Sequence, residues 1–175
     1  IRTSDDDHYY MEYKLEKNGK KAPLTWEDKD GELTLKESEG GTGGYFITYD
    51  LGVFRTHIEQ TRKEDAVNTV ILYVPEKAQL LDTEIQLSDG DLTADQLLCE
   101  KMTAKLSDGD LMLDKGVFEK FEAKLGDGDM DVKELQCTDN MQLKSENGDV
   151  SIKKADLTDG QIALDFQKRG VQYPA

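Results

Sequence analysis

Histidine, arginine and long apolar segments are scarce in this 175-residue chain, and each scarcity argues against a class of function. The two histidines, His8 and His57, lie far apart with no cysteine–histidine ligand spacing around them, which argues against a zinc site. No G-x-S-x-G elbow accompanies them, so serine-hydrolase chemistry has no support. There is also no run of about 18 apolar residues, so the sequence predicts no membrane span within this chain.

Positive charge is in short supply, since 22 lysines and arginines face 37 aspartates and glutamates, for a net charge of −15. Phosphate and anionic lipid are bound mainly through lysine and arginine, so we predict no nucleic-acid partner and no docking on anionic membranes. Cations, cationic polymers or hydration remain as reasons for the acidity. Because the chain begins at Ile1 rather than Met, we interpret it as part of a longer protein whose signal or anchor lies outside it.

One turn sequence occurs four times, in near-identical copies, in the second half of the chain. The copies are "LSDGDL" from Leu87 and again from Leu106, "LGDGDMDV" from Leu125, and "SENGDVSI" from Ser145. Their glycines are Gly90, Gly109, Gly128 and Gly148, which gives spacings of 19, 19 and 20 residues. A fixed period of this size is typical of a repeat architecture.

Apolar residues recur at fixed distances from each turn glycine and alternate with polar ones, which indicates strands on both sides of the turn. The columns two and four residues after the glycine are Leu92, Leu111, Met130, Val150 and Ala94, Leu113, Val132, Ile152; those five and seven before it are Ile85, Ala104, Ala123, Leu143 and Thr83, Met102, Phe121, Met141. We therefore predict an all-β, single-stranded β-solenoid with coils of about 19 residues stacked about 4.8 Å apart. A β-sandwich or a meander of hairpins is the alternative.

The whole chain, residues 1–175, is predicted to form a single β-solenoid domain. A weaker copy of the turn around Gly31 suggests looser, irregular opening coils over residues 1–75 that cap the stack, ahead of regular repeats over residues 76–160. Residues 161–175 would form a last partial coil. This coil lacks an evident polar cap, which predicts either a missing cap or edge-to-edge self-association.

The segment "VILYVPEKAQLLDTEIQLSDGDLTADQL", followed by the repeated "LSDGDL", resembles the DUF4097 adhesin family of bacteria. The opening "SDDDHYYMEYKLEKNGK" and the block "DGELTLKE" resemble the family's N-terminal half. The resemblance implies a right-handed β-solenoid at the cell envelope or outside the cell, tethered by segments absent from this chain. It brings no catalytic residues, and the adhesin role in the family's name is itself an inference from architecture.

Two columns of acidic residues flank the turn glycines. Asp91, Asp110, Asp129 and Asp149 follow the glycines, and Asp89, Asp108, Asp127 and Asn147 precede them. Stacking places like charges about 4.8 Å apart, so something must offset their repulsion. Hydrogen bonds from backbone amides are one explanation. Calcium held by the column after the glycine is the other, although the spacing matches neither an EF-hand nor the calcium-binding nonapeptide repeat.

Cys99 and Cys137 stand nine residues after their turn glycines, in one column with Phe118 and Leu157. Because they are two coils apart, their Cα atoms should be about 9–10 Å apart, beyond the ~7 Å limit for a disulfide. We predict that both are reduced, buried and apolar in role.

These patterns favour a non-enzymatic envelope module that binds an unknown protein or glycan at the cell surface, or acts as a scaffold, with no cofactor. One alternative is a polysaccharide-active enzyme on a β-helix scaffold, which would need a carboxylate paired with a basic residue on one face. Another is an acidic repeat protein stabilised by calcium.

Overall fold

A computed structural model describes residues 1–14, 16–17, 20–21, 24–29, 32–37, 45–50, 69–158 and 160–166 of the chain. These residues contain no α-helix, and therefore none that is long and apolar enough to cross a bilayer. The strands among them are β1 (Arg2–Ser4), β2 (Tyr10–Lys14), β3 (Glu16–Lys17), β4 (Lys20–Lys21), β5 (Leu24–Lys29), β6 (Glu32–Glu37), β7 (Tyr45–Asp50), β8 (Thr69–Pro75), β9 (Leu80–Asp89), β10 (Leu92–Asp108), β11 (Leu111–Asp127), β12 (Met130–Asn147), β13 (Val150–Leu157) and β14 (Ile162–Phe166).

Strands β9 to β13 stack in parallel, each on the next, with β14 continuing the last coil above β12. The register follows the repeat: Leu92 lies opposite Leu111, which lies opposite Met130. Strands β10, β11 and β12 are long, at 17 or 18 residues, because each runs through a whole coil between two glycine corners. The predicted β-solenoid with coils of about 19 residues is confirmed, and the β-sandwich and hairpin alternatives are wrong.

The core is a narrow seam of side chains that point inward from every coil. In the strand segments before the corner, the buried columns are Thr83, Met102, Phe121, Met141 and Ile85, Ala104, Ala123, Leu143. After the corner they are Leu92, Leu111, Met130, Val150 and Ala94, Leu113, Val132. The alternation with exposed residues between them is what a sheet with one wet face requires, so the inward columns predicted from the sequence are confirmed.

The four corners need glycine. Gly90, Gly109, Gly128 and Gly148 have φ between 130° and 145°, a conformation that L side chains rarely adopt. The corners also touch: a Cβ built on Gly128 would lie 2.1 Å from the carbonyl oxygen of Gly109. Each corner therefore fills the space in which the next glycine would carry a side chain.

The longer spacing between the third and fourth corners comes from a bulge in β12. Phe118 pairs with Cys137, but Lys120 pairs with Asn140 rather than with Asp139. The extra residue is absorbed at this bend, and the columns on both sides of it stay in register.

Among the described residues before position 75, strands β5, β6 and β7 are not the predicted opening coils. Strands β5 and β6 pair antiparallel with Lys29 opposite Glu32, β6 pairs antiparallel with β7, and β7 with β9. The strands around the weaker turn copy at Gly31 thus form a hairpin rather than a coil of the stack. Residues 30–31 themselves lie outside the described residues. An Asp-Gly pair suits a two-residue hairpin as well as a solenoid corner, which is why the sequence did not separate the two.

A second, smaller sheet consists of β1, β8 and β2. Strand β8 pairs in parallel with β1 and antiparallel with β2. Just before β1, the carbonyl of Ile1 accepts a hydrogen bond of 3.1 Å from the amide of Asp95 in the first regular coil. The opening of the chain is therefore joined to the solenoid by backbone hydrogen bonds in two places, from β7 to β9 and from Ile1 to Asp95.

At the opposite end, the last coil consists of β13 and β14, which pair only with β12 among the described strands. Ile162 and Leu164 continue the inward columns here, yet their exposed fractions are 50% and 39%. The seam of apolar side chains thus comes to the surface at this end.

Candidate functional site

The acidic corner is built by a ladder of side-chain-to-backbone hydrogen bonds. The amide of Asp110 donates to Oδ1 of Asp91 at 2.9 Å, and the amide of Asp129 donates to Oδ1 of Asp110 at 2.8 Å. The amide of Asp149 donates in the same way to Asp129 at 2.8 Å. Each aspartate therefore accepts a bond from the equivalent residue one coil further on.

The corner geometry explains why the acceptor is a side chain. The amides of Gly109 and Leu111 donate to carbonyl oxygens of the next coil, those of Asp127 and Asp129. The amide between them, on Asp110, instead finds the carboxylate of Asp91 in the preceding coil. Because a hydrogen bond to a charged acceptor is stronger than one between neutral groups, this arrangement offsets part of the repulsion along the column.

The column before the glycines faces water at Asp89, Asp108 and Asp127. At the last corner the amide nitrogen Nδ2 of Asn147 donates to Oδ1 of Asp127 at 2.8 Å. The side-chain amide of Asn147 therefore stands at the position where the other corners have an aspartate. It also binds the carboxylate of Asp127 one coil earlier. The exposure of these aspartates to water and the hydrogen bond from Asn147 both favour a structural role for the acidic columns over cation binding.

The structure does bring together the four aspartates that the sequence offered as calcium ligands, since they form one column along the corner. Oδ1 of Asp91, Asp110 and Asp129 is already an amide acceptor. Across the described residues, no group of three or more histidine, cysteine, aspartate or glutamate side chains is placed to hold a metal ion. Calcium binding remains the alternative explanation of this column, and a melting experiment described below tests it.

The two cysteines are free and buried, with Phe118 between them in the register. Their place follows from packing: in successive coils the two inward positions are Leu97 and Cys99, then Gly116 and Phe118, then Leu135 and Cys137. A small thiol thus accompanies a leucine, and a large ring accompanies a glycine. Burial raises the pKa of Cys99 to about 12 and also raises that of Cys137, which keeps both thiols protonated and unreactive at neutral pH.

The outward face of the strand segments before the corner carries five lysines. Lys105, Lys124 and Lys144 stand in one column on consecutive coils, and Lys101 and Lys120 form a second column on the same face. We call the column of Lys105, Lys124 and Lys144 the lysine column. All five lysines have acidic partners, so this face gathers lysines without an excess of positive charge.

Each lysine in the column has an acidic neighbour. Lys105 bonds Glu84 of the preceding coil at 2.9 Å, Lys124 lies 2.6 Å from Glu122, and Lys144 bonds Glu146 at 3.0 Å. The lysine side chains are between 33% and 45% exposed, so the pairs face solvent. Exposed pairs of this kind contribute little to stability.

The pairs shift pKa values in the direction that preserves charge. A hydrogen bond from Lys124 lowers the pKa of Glu122, and hydrogen bonds to Glu84 and Glu146 raise the pKa of Lys105 and of Lys144. These groups are therefore charged across the neutral range. A proton-transfer catalyst needs the opposite, a pKa moved towards neutrality.

A groove of about 500 Å³ runs along the lysine column. The three lysines line it together with Asp127, Glu146 and Asn147. The small residues Ser107 and Gly126 also line it. The groove thus combines ammonium groups with carboxylates.

Sequence reasoning missed this site, although its signal was present. Four residues before each turn glycine the chain reads Gln86, Lys105, Lys124 and Lys144, and column arithmetic finds them as readily as the aspartates. Of the histidines, His8 lies beside Asp6, with Nδ1 3.5 Å from Oδ2. His57 lies outside the described residues.

Stacked parallel coils with glycine corners, an aspartate–amide ladder and a lysine-lined groove define an all-β repeat protein of the β-solenoid class. Within that class, the chain belongs to the Toastrack DUF4097 family, whose sequence profile matches residues 1–166. The resemblance drawn from the turn motifs is therefore confirmed. No curated protein and no solved structure matches the chain.

Proposed function

We propose that the protein is a non-enzymatic binding or scaffold module of the cell envelope, adhesin-like in action, that presents its outward faces to a partner outside the cell. The observation that carries the proposal is the lysine column with the groove beside it. Lysine recurs there on three consecutive coils, so an extended partner can make the same contact several times. Repeated weak contacts add up to useful affinity without a deep pocket.

The state of the ionisable groups supports a binding role over a chemical one. The resolved shifts hold Glu122, Lys105 and Lys144 in their charged forms, and burial keeps the Cys99 thiol protonated. Charged, solvent-facing pairs suit the recognition of a charged ligand, whereas a general acid or a nucleophile needs a pKa moved towards neutrality.

A polysaccharide-active enzyme is the second candidate, and one observation favours it. The groove combines carboxylates, Asp127 and Glu146, with the three lysines, which is the pairing that such enzymes need. Glycan incubated with the protein and then analysed for new reducing ends separates the two candidates. Turnover that disappears in Asp127→Asn would overturn the non-enzymatic proposal.

The direct test of the proposal is co-sedimentation of the purified chain with isolated bacterial envelope material, with fractionation of the full-length protein in its own cells. We expect the chain to pellet with envelope material and the full-length protein to fractionate with the envelope. Recovery of both in the supernatant and the cytoplasmic fraction would refute the proposal. Edge-to-edge self-association through β13 and β14 would appear in the same preparation as a concentration-dependent mass by light scattering.

A further inference from the structure

We propose that the last coil of the stack binds the last coil of a second copy, so that β14 pairs antiparallel with its own equivalent and two stacks join end to end in a closed dimer. The interface forms around a two-fold axis at Leu164. This inference does not depend on the envelope role, because it concerns the end of the stack and not the lysine column. It gives the self-association of the exposed end a geometry and an upper limit.

The last coil leaves a row of backbone groups without a partner strand among the described residues, since β13 and β14 pair only with β12 there. The amide of Met141 donates to the carbonyl of Gln161 at 3.0 Å, so the Gln161 carbonyl points towards β12. Successive residues of a strand direct their amide and carbonyl groups to alternate sides. Those of Ile162 and Leu164 therefore point away from β12 or lie next to a residue that does, and Leu164 shares the orientation of Ile162. An edge of this kind is a template for another strand.

The same edge carries apolar side chains that no further described coil covers. Ile162 and Leu164 continue the inward columns of Met141 and Leu143, and their exposed fractions are 50% and 39%. One coil earlier, Met141 and Leu143 are only 4% and 0% exposed. A strand laid on this edge would therefore bury apolar side chains and satisfy backbone groups in one step.

The other end of the stack is already covered. Strand β9 is paired with β7, and the amide of Asp95 in the first regular coil bonds the carbonyl of Ile1. A second copy therefore finds no free first coil on which to continue the stack from head to tail. Two last coils that face each other instead use the same surface on both copies, and such a contact closes at a dimer.

Antiparallel pairing centred on Leu164 matches β14 to itself. Ile162 then faces Phe166 of the second copy and Leu164 faces its own equivalent, so each inward position meets an apolar one. Ala163 faces Asp165, which keeps the two Asp165 carboxylates apart. A centre at Asp165 would set those carboxylates opposite each other, and a centre at Ala163 would leave Phe166 beyond the facing strand.

The lysines of β13 do not oppose this contact. Lysine on an edge strand is a common means of preventing strand pairing. Here Lys153 bonds Asp131 and Lys154 bonds Glu134, each at 3.3 Å and each one coil earlier, so their charges are matched within the copy. The net charge of −15 on each copy repels the other at long range, and we therefore expect the dimer to be tighter at physiological salt than at low salt.

The first test measures mass against concentration by sedimentation velocity of the whole chain. Over about a hundredfold range of concentration, the mass should rise from monomer to dimer and no further. Leu164→Lys places two like charges on the axis and should weaken the dimer at least about tenfold. Met112→Lys is the matched control, because Met112 is 38% exposed but lies on the outward side of β11. It should change the dissociation constant less than about twofold.

The second test checks the register by disulfide formation. Ala163→Cys on one copy and Asp165→Cys on the other would face each other with Cα atoms about 4.5–5.5 Å apart, within reach of a disulfide. The same variant on both copies would place the thiols diagonally, with Cα atoms about 7–8 Å apart. Under mild oxidation the mixture should therefore form linked dimers far faster than either variant alone. The native cysteines, Cys99 and Cys137, are buried.

A mass that stays monomeric, a mass that grows beyond the dimer, or equal losses in Leu164→Lys and Met112→Lys would overturn the inference. A strand from elsewhere in the chain, or from a different protein, would give the first of these results if it occupied the edge. Either cysteine variant linking alone as fast as the mixture would overturn the two-fold register. Monomeric protein that pellets with envelope material would refute the dimer alone, whereas a dimer whose full-length form stays in the cytoplasm would refute the envelope role alone.

Discussion

The ring of Phe118 fills the space where a side chain on Gly116 would lie: a Cβ built on Gly116 would sit 2.5 Å from the ring carbon Cε2. The same ring stacks on Phe121 with centroids 4.9 Å apart. The coils above and below place leucine and cysteine at the two equivalent positions. The two inward positions of each coil therefore fill a similar total volume, either with a leucine and a cysteine or with a glycine and a phenylalanine.

Gly116→Leu should lower the free energy of unfolding by at least about 1–3 kcal/mol, because the new side chain overpacks against the ring of Phe118. Phe118→Ala should cost about 3–5 kcal/mol through the cavity it leaves. Combining Gly116→Leu with Phe118→Ala imitates the neighbouring coils, so the double variant should lose at least about 1 kcal/mol less than the two single changes together. Urea denaturation of all four proteins gives the coupling, and simple additivity would show that the two sites pack independently.

Asp110→Ala should destabilise the corner by about 1–2 kcal/mol, because the amide of Asp129 loses its acceptor. Asp110→Asn is the matched control, since the amide oxygen still accepts and one repelling charge is gone. We expect the asparagine variant to match or exceed the wild type in thermal melts at low salt. An asparagine variant as weak as the alanine variant would mean that the charge, not the hydrogen bond, matters at this position.

Calcium should leave the melting midpoint unchanged relative to a chelator. The column of Asp91, Asp110 and Asp129 already uses one oxygen of each carboxylate for an amide. A ligand present at 100 times its dissociation constant would stabilise the fold by about 2.7 kcal/mol, which a melting curve detects easily. A midpoint that rises with calcium and returns with chelator would establish the acidic corner as a cation site.

High pH should weaken the fold through Cys99. Burial raises the pKa of this thiol from 9.0 to about 12, so the unfolded chain releases the proton first as pH rises. The stabilisation is complete below pH 9 and falls between pH 9 and 12, by up to about 1.4 kcal/mol per pH unit. Denaturant titrations of wild type and Cys99→Ala across this window should converge with rising pH, because only the wild type carries this group. Parallel curves would show that the thiol ionises normally in the folded state.

The stack, its register and its inward columns could be predicted because the evidence for them is local and repeated. A glycine at each corner and alternation on both sides fix which residues share a column, and with it the separation of Cys99 from Cys137. The opening sheets could not be predicted in the same way. Asp-Gly serves a hairpin and a corner equally well, and only long-range pairing of β7 with β9 decides between them.

The acidic corner and the lysine column differ in how much of their structure can be predicted from the sequence. Stacking alone put the aspartates next to each other and posed the question of their repulsion. The answer depends on which way one backbone amide points at Asp110, a detail that residue types do not encode. The alignment of the lysines follows from their positions relative to the turn glycines, but only the folded face shows that they line a groove together with Ser107 and Gly126.

Along the edge formed by the glycine corners, each corner restricts the residue type at the next. Because the carbonyl of Gly109 occupies the place of a side chain on Gly128, and Gly128 does the same to Gly148, no corner can acquire a side chain without displacing its neighbour. Variation is thereby channelled away from the corners and into the outward positions of each coil. The outward positions can therefore change coil by coil while the edge that holds the coils together stays the same.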